Sequence, residues 1–230
     1  MVGTPGEDGG VIDLPDGGQM LADGGVLPTE DAGVDAGQPL PPDEPEETAE
    51  AFGFALGVAS GDVEATRAVL WTQYVGTRAL RLRVWRMEAE VYAERVADTL
   101  VQPGDGGFVH LDVDGLTPGT RYRYAFFEED TTGALVARSS IGRFRAAFAA
   151  GTRAPLTFGA SSCTKQGTTP SPLLRAGERD DLDLHLLLGD SSYNDNKDTL
   201  SEYRTQWAAN LGGPEYRTLR ASTSVLATWD

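Results

Sequence analysis

Short runs of alternating apolar and polar residues recur between residues 51 and 150, and they constrain the fold more than any other feature of the sequence. In "LRLRVW", Leu80, Leu82 and Val84 alternate with arginines, so one face of a strand would be apolar and the other charged. The runs "RAVLWTQY", "GFVHLDVDGL" and "RYRYAFFEE" are similar and are bounded by Gly, Pro or Asp. Several short strands with closely spaced turns predict a β-sandwich over residues 51–150.

The stretch "GLTPGTRYRY" agrees with this prediction. It resembles the Leu-x-Pro-x-Thr-x-Tyr stretch of fibronectin type III domains, with Leu116, Pro118, Thr120 and Tyr122 in the matching order. In those domains the tyrosine hydroxyl bonds back to the preceding corner of the chain, and we expect the same of Tyr122. His110 falls on another of the strands, where a lone histidine is expected to be a surface or hydrogen-bonded residue and not a ligand.

The first 50 residues have a different composition. They contain no aromatic residue, no Lys and no Arg, but 13 acidic residues, 10 Gly and 7 Pro. So few apolar side chains cannot offset the entropy of ordering the chain, which predicts a disordered tether over residues 1–50. Of the 35 acidic residues, 22 remain outside this tether against 19 basic ones, so the net charge of −16 belongs mainly to the tether. The rest of the chain has no basic stripe, and no nucleic-acid-binding patch is predicted.

The Asp/Gly/Pro-rich character of the tether bears on location. Stretches such as "LADGGVLPTEDAGVDAG" look like the tethers that follow the export signal of bacterial surface lipoproteins, whereas the start "MVGTPGEDGG" has neither the basic nor the apolar part of a signal peptide. We therefore expect an extracytoplasmic protein, with a membrane tether through a signal that precedes this sequence. A cytoplasmic protein with an acidic tail stays an alternative. The single cysteine excludes an internal disulfide, and the oligomeric state is open.

Residues 151–230 alternate between strand and helix patterns. The runs "PLTFGASSC", "DLDLHLLLGD" and "SVLATWD" predict three apolar strands. Between them Ser171 is a candidate N-cap before Pro172, and Thr199 with Glu202 is a candidate capping box. The helix after Thr199 carries one apolar stripe, made of Leu200, Tyr203, Trp207, Ala208 and Leu211. The order strand, helix, strand, helix, strand predicts parallel pairing and the first part of an α/β domain.

Each of the three strands ends in residues that can bind a metal: Cys163, then Asp190 with Tyr193, then Asp230. In open α/β sheets the ligand site lies beyond the carboxyl ends of the strands, so these side chains are expected to meet at one rim. Each alone has an ordinary explanation, as a small buried thiol, a turn residue or a helix cap, but together they favour a site. His185 lies inside its strand and is expected to pack in the core or on the sheet face.

The chemistry of these residues points towards metal ions. Cys163 does not fit a Cys-x5-Arg phosphatase nucleophile, because the sixth residue after it is Thr169, and no Gly-x-Ser-x-Gly elbow supports a Ser-His-Asp triad. A thiolate and a phenolate suit a ferric ion, while a carboxylate can bridge to a second cation. Two such cations would hold a hydroxide between them and neutralise the charge of a phosphate ester.

The motifs "GVASGD", "VLWT", "FGASSC", "LLLGDSSY", "EYR" and "ATWD" occur in this order, and the set resembles the PhoD-like alkaline phosphatases of the metallophosphoesterase superfamily. The resemblance implies a fibronectin type III-like domain followed, over residues 151–230, by the N-terminal portion of a metallophosphoesterase domain. It also implies that Cys163 and Tyr193 bind Fe(III), that Asp190 bridges to Ca²⁺ or another divalent cation, and that Asp230 is catalytic. "GDSSYND" lacks the aromatic residue and the glutamate of many relatives, which leaves substrate preference open.

The expected function is therefore metal-dependent hydrolysis of a phosphate monoester or diester by a metal-bound hydroxide. Because the sequence stops at Asp230, before the histidine and the distal ligands of the family pattern, we expect the 230-residue chain itself to be inactive or nearly so. One alternative is a non-catalytic cell-surface binding module with a degenerate α/β domain. Another is a superfamily member that acts on phospholipids or on teichoic-acid-like polymers.

Overall fold

The structure is a computed structural model, and it describes residues 11–13, 19–21, 44–164, 167 and 171–228. The chain divides into two compact units, residues 1–38 and 39–230. In the first unit, strands β1 (Val11–Asp13) and β2 (Gln19–Leu21) pair antiparallel, with Val11 opposite Leu21. Most of the tether predicted over residues 1–50 lies outside the described residues, and its disorder stays a prediction.

The second unit contains an antiparallel β-sandwich, as the alternating pattern predicts. Its smaller sheet consists of β3 (Val58–Gly61), β4 (Arg67–Gln73) and β7 (Phe108–Asp114), with β4 in the middle. Its larger sheet consists of β5 (Ala79–Glu88), β6 (Val91–Val101), β8 (Arg121–Glu129), β9 (Leu135–Arg138) and β10 (Gly142–Arg145). In the larger sheet the order is β10, β8, β5, β6, and β9 pairs with the far part of β8.

The core of the sandwich lies between the two sheets. Leu80, Leu82 and Val84 are fully buried in it, which confirms the alternation predicted for β5. The Tyr122 hydroxyl accepts a hydrogen bond from the backbone N–H of Thr117 at 2.8 Å, which is the corner contact expected of this tyrosine. These contacts join the tight turn before β8 to the core.

A second apolar cluster lies on the outer face of the larger sheet, around Trp85 and Phe127. The segment at residues 44–50, with a 3₁₀-helix at Pro45–Glu47, borders this face: the Tyr92 hydroxyl donates to Glu46 at 2.7 Å, and Arg138 Nε donates to the Pro45 carbonyl at 2.8 Å. Residues 44–50, which the predicted tether includes, thus have defined contacts in the structure. Tyr92 of β6 and Arg138 of β9, which lie far along the chain, provide the hydrogen-bond partners that this segment's own composition cannot supply.

The remaining residues form the predicted parallel sheet. Strands β11 (Phe158–Ser161), β12 (Leu184–Leu187) and β13 (Ser224–Ala227) lie side by side in this order. The helices are α1 (Pro172–Gly177), α2 (Leu200–Gly212) and α3 (Pro214–Ser222). Helix α3 was not among the helices predicted from the sequence. Gly213 ends one helix and Pro214 begins the next at its first position.

Both predicted helix caps are present. The Ser171 hydroxyl accepts from the backbone N–H of Leu174 at 3.2 Å, and Thr199 and Glu202 form a reciprocal capping box. The apolar stripe of α2 is largely exposed: the relative accessible areas are 65% for Leu200, 41% for Tyr203 and 39% for Trp207. Among the described residues, no helix combines the length and the apolar composition that crossing a membrane requires.

The sandwich and the parallel sheet meet at a buried joint. Arg220 of α3 donates hydrogen bonds to the carbonyls of Leu56 and Leu211, and its guanidinium lies 5.3 Å from the ring centroid of Trp71. Burial lowers the pKa of Arg220 to about 10. The hydroxyls of Ser60 and Ser224 hydrogen-bond across the same joint at 3.1 Å. This hydrogen bond joins β3 of the sandwich to β13 of the parallel sheet.

Candidate metal centre at the carboxyl end of the parallel sheet

Backbone hydrogen bonds continue beyond β11 and β12 and join the loops that follow them. Leu188 N–H donates to the Ser161 carbonyl at 2.8 Å, and Thr164 N–H donates to the Asp190 carbonyl at 3.1 Å. Cys163 N–H donates to the Gly189 carbonyl at 3.4 Å. Because the two loops are joined in this way, Cys163 and Asp190 lie next to each other at the sheet rim.

Three residues of these two loops have positive φ angles, in the left-handed part of backbone conformational space. The φ angles are +108° at Gly189, +48° at Asp190 and +54° at Cys163. Glycine adopts such angles without steric cost and aspartate tolerates them, whereas a cysteine seldom does. The backbone hydrogen bond from Cys163 to the neighbouring loop maintains this strained conformation.

The side chains of Cys163, Asp190 and Tyr193 converge at this rim. Cys163 Sγ donates to Asp190 Oδ2 at 3.4 Å. The pKa of the Tyr193 phenol is raised by partial desolvation and then by the negative charges of the nearby Asp190 and Cys163. Within the part of the chain that the structure describes, no Lys or Arg forms a salt bridge with Asp190. Three groups that can become anions therefore share one place without a cationic side chain to balance them.

Tyr216, a buried residue of α3, forms hydrogen bonds with both loops. The Tyr216 hydroxyl donates to the Ser191 carbonyl at 2.9 Å and lies 2.6 Å from Thr164 Oγ1. Because the tyrosine proton is used at Ser191, the threonine hydroxyl is the donor of the second bond. The Asn210 side-chain amide also donates to the Ser191 carbonyl, at 3.3 Å. The sequence reasoning missed Tyr216 and Asn210; the signal for Tyr216 was an aromatic residue in the first turn of a helix that begins at Pro214.

His185 belongs to the scaffold and is not a donor at the rim, as expected for a residue inside its strand. It is buried, and its Nε2 lies 2.9 Å from the Ser161 hydroxyl. The ring occupies the space over Gly159, where a Cβ atom would lie 2.6 Å from His185 Nδ1. Burial lowers the pKa of His185, which favours the neutral imidazole. His110 is exposed on β7, next to Trp71, which agrees with the surface role expected of it.

The donors at the rim fit a metal site in their chemistry. A thiolate and a phenolate are strong donors to a ferric ion, and a carboxylate can bridge to a second, harder cation. Among the described residues, no group of three or more His, Cys, Asp and Glu side chains could hold a metal ion. Asp230, predicted at the same rim, lies outside the described residues.

Comparisons with known proteins agree with the fold. A family model described as "PhoD-like phosphatase, N-terminal domain" matches residues 33–148. Alkaline phosphatase D of Bacillus subtilis (strain 168) is 24% identical over 210 residues, which cover 78% of this chain and 35% of that protein. A solved structure described as "Structure of PhoD" superposes with a TM-score of 0.60 at 23% identity and covers 78% of this chain and 39% of that one. The chain thus spans little more than a third of the length of the curated relative.

Proposed function

Because this chain belongs to the PhoD-like phosphatase family, we propose that its rim of Cys163, Asp190 and Tyr193 serves the metal-dependent hydrolysis of phosphate esters. Family membership supports the phosphoesterase class. The observation that carries the assignment of the site is the 3.4 Å contact between Cys163 Sγ and Asp190 Oδ2 at the carboxyl ends of two neighbouring parallel strands. The substrate class is a phosphate monoester or diester.

In this proposal Cys163 and Tyr193 would hold Fe(III), and Asp190 would be a carboxylate ligand shared with Ca²⁺ or another divalent cation. Such a pair supplies positive charge that neutralises the phosphate group and lowers the pKa of a water molecule. Asp230, at the end of the segment that follows β13, is proposed as a catalytic residue at the same rim. An extracytoplasmic location follows from the acidic tether and belongs to the same proposal.

The protein's own contribution is to hold three donors together and to move two protons. Without a cation, the Cys163 thiol donates to Asp190 Oδ2, and the raised pKa of the Tyr193 phenol favours its protonated form. Metal ligation requires both protons to leave. The bonds from Tyr216 keep the loops in place meanwhile, so the donors need no large rearrangement.

We further propose that the 230-residue chain hydrolyses phosphate esters weakly or not at all. Its described residues supply three donors to a site that would contain two cations, and a carboxylate shared between cations satisfies neither fully. A site with few protein ligands binds its metals weakly, so activity is expected to be low even when iron and calcium are added.

The test is a titration of the chain with Fe(III) under visible spectroscopy. Phenolate bound to Fe(III) gives a visible absorption band, so the band should appear in the unaltered chain and be lost in Tyr193→Phe. Tyr203→Phe is the matched control, because Tyr203 lies on the exposed face of α2 and should leave the band unchanged. Cys163→Ser should weaken iron binding while it leaves the fold intact.

The outcome also separates the enzyme from the binding-module alternative. A chain that takes up no Fe(III) would contradict the metal site and favour a non-catalytic surface module. A band that persists in Tyr193→Phe would contradict the role of that tyrosine.

A further inference from the structure

Four arginines form a two-by-two grid on the outer face of the larger sheet. Arg121 and Arg123 lie on β8, and Arg143 and Arg145 lie on β10. The register places Arg143 directly opposite Arg123 and Arg145 directly opposite Arg121. The residues between them, such as Phe144, point into the core. Like charges directly opposite each other destabilise an antiparallel pair, and here two such pairs are adjacent.

Carboxylates balance only part of this charge. The contacts are Arg145–Asp183 at 3.1 Å, Arg121–Asp183 at 4.0 Å, Arg123–Glu90 at 2.9 Å and Arg123–Glu46 at 3.4 Å. Both partners of Arg123 are well exposed, so water screens them. Arg143 forms no salt bridge with any described residue. Arg143 is thus the one arginine of the grid without a salt bridge to a described residue.

Backbone carbonyls fix the orientation of Arg143. Its Nε donates to the Ser222 carbonyl at 2.7 Å, and one terminal nitrogen donates to the Arg179 carbonyl. The other terminal nitrogen has no hydrogen-bond partner among the described residues. Burial lowers the pKa of Arg143, and the positive charges of Arg123 and Arg121 act in the same direction, while the negative charges of Asp180 and Glu90 oppose them. All four arginines line a narrow cleft, together with the carboxylates of Glu90 and Asp180.

This cleft is remote from the candidate metal centre. Ser222 precedes β13 by two residues, and Asp183 directly precedes β12, so the grid lies at the amino ends of the parallel strands. Cys163 and Asp190 follow the carboxyl ends. Four-residue strands span about 13 Å, which separates the two places and excludes a shared ligand of small size.

We propose that this cleft binds an oxyanion of the phosphate or sulfate type, with Arg143 as the principal contact and with Arg121 and Arg123 beside it. A planar guanidinium matches two oxygens of such an anion, and an orientation fixed in advance lowers the entropy cost of binding. A doubly charged anion also relieves the repulsion between the opposed arginines. The anion is either free or part of a larger molecule that carries a phosphoryl group.

The test measures thermal unfolding of the 230-residue chain with a chelator present, so that no metal at the carboxyl end can bind the anion. Inorganic phosphate and sulfate should each raise the unfolding temperature in a saturable manner relative to chloride at equal ionic strength. Arg143→Gln should weaken phosphate binding by about tenfold, because a hydrogen-bonded charge is lost. Arg204→Gln is the matched control: it removes the same charge from an exposed position of α2 and should retain the shift.

One further variant and one further ligand complete the test. If Arg143→Gln does not fold, Arg143→Lys keeps the charge but lacks the planar fork, and its phosphate shift should still be clearly smaller than that of the unaltered chain. Binding of phenyl phosphate as well as phosphate assigns the site to a carried phosphoryl group, and binding of phosphate alone assigns it to the free anion. No shift beyond chloride, or an equal shift in the Arg143 variants, overturns the proposal. The result is independent of the Fe(III) titration, which probes the opposite end of the strands.

Discussion

The sandwich and the parallel-sheet region differ most in how their cores are built. The main sandwich core contains seventeen buried apolar residues from both sheets, whereas the core under the parallel sheet consists of Leu173, Leu187, Tyr216 and Leu219. The region with the smaller core is the one that carries the candidate metal centre. Its loops depend on hydroxyl and carbonyl hydrogen bonds, which restrain position well but contribute little net stability each.

The comparison implies that the parallel-sheet region depends on the sandwich for part of its order. Arg220 donates to carbonyls on both sides of the joint, and Ser60 meets Ser224 there. Regions with small cores open locally at lower free energy than regions with large ones. The sandwich should therefore remain folded when the parallel-sheet region opens. The parallel-sheet region should not remain folded when the sandwich opens.

The largest effect is expected from the sandwich core. Phe126→Ala removes a fully buried ring and should lower the free energy of unfolding by about 3–5 kcal/mol, measured by urea denaturation. Phe52→Ala is the control, because Phe52 is 100% exposed, and its effect should stay within about 0.5 kcal/mol. A cost for Phe126→Ala as small as that of the control would contradict the central role of this core.

The joint should show the next largest effect. Arg220→Ala removes two charge-assisted hydrogen bonds and leaves the Leu56 and Leu211 carbonyls without them, which should cost about 2–4 kcal/mol. Amide hydrogen exchange should accelerate in the parallel-sheet region and stay slow in the sandwich. Arg217→Ala, one turn earlier on the same helix, breaks only an exposed ion pair with Glu50 and should cost less than about 1 kcal/mol. Equal acceleration in both regions would contradict the asymmetry.

Two tyrosine hydroxyls allow a matched comparison between the regions. Tyr216→Phe removes bonds to Thr164 and Ser191 and should cost about 1–3 kcal/mol, with faster exchange in the loops that contain Cys163 and Asp190. Tyr122→Phe removes one bond to the Thr117 N–H and should cost about 1 kcal/mol. The second variant should leave those loops and their iron binding unchanged. Equal loop protection in the two variants would exclude Tyr216 as the residue that holds the rim.

A smaller effect is expected from pH, through His185. Burial lowers its pKa in the folded chain from the ordinary value of 6.5, so the unfolded chain takes up a proton at higher pH than the folded one does. Stability should thus be unaffected above this value and should fall as the pH decreases through it. Unfolding temperatures between neutral and mildly acidic pH would show this loss. It should shrink in His185→Gln and persist in His110→Gln, which replaces the exposed histidine.

Local patterns made much of the fold predictable. The alternation around Leu80, the corner at Tyr122 and the caps at Ser171 and Thr199 depend on residues a few positions apart, and each is present in the structure. The three strand ends also allowed Cys163 and Asp190 to be placed together, because parallel strands share a carboxyl edge. In these cases short-range rules and the tertiary structure agree.

Contacts between distant parts of the chain were not predictable in the same way. The ordering of residues 44–50 depends on Tyr92 and Arg138, and the position of the rim loops depends on the hydrogen bonds of Tyr216. Both require knowledge of which elements pack together. The opposed arginines of β8 and β10 depend on strand register, which the stretches "RYRY" and "GRFR" do not reveal singly.

Helix α3 has a consequence for the order in which the molecule assembles. Tyr216 and Arg220 stand one helical turn apart, the first bonded to the rim loops and the second to the sandwich. Docking of this nine-residue helix costs conformational entropy only once, and the same docked helix makes both sets of hydrogen bonds. We therefore expect the rim to reach its final shape only after the sandwich has formed a surface for α3, so that this end of the sheet is completed last during folding.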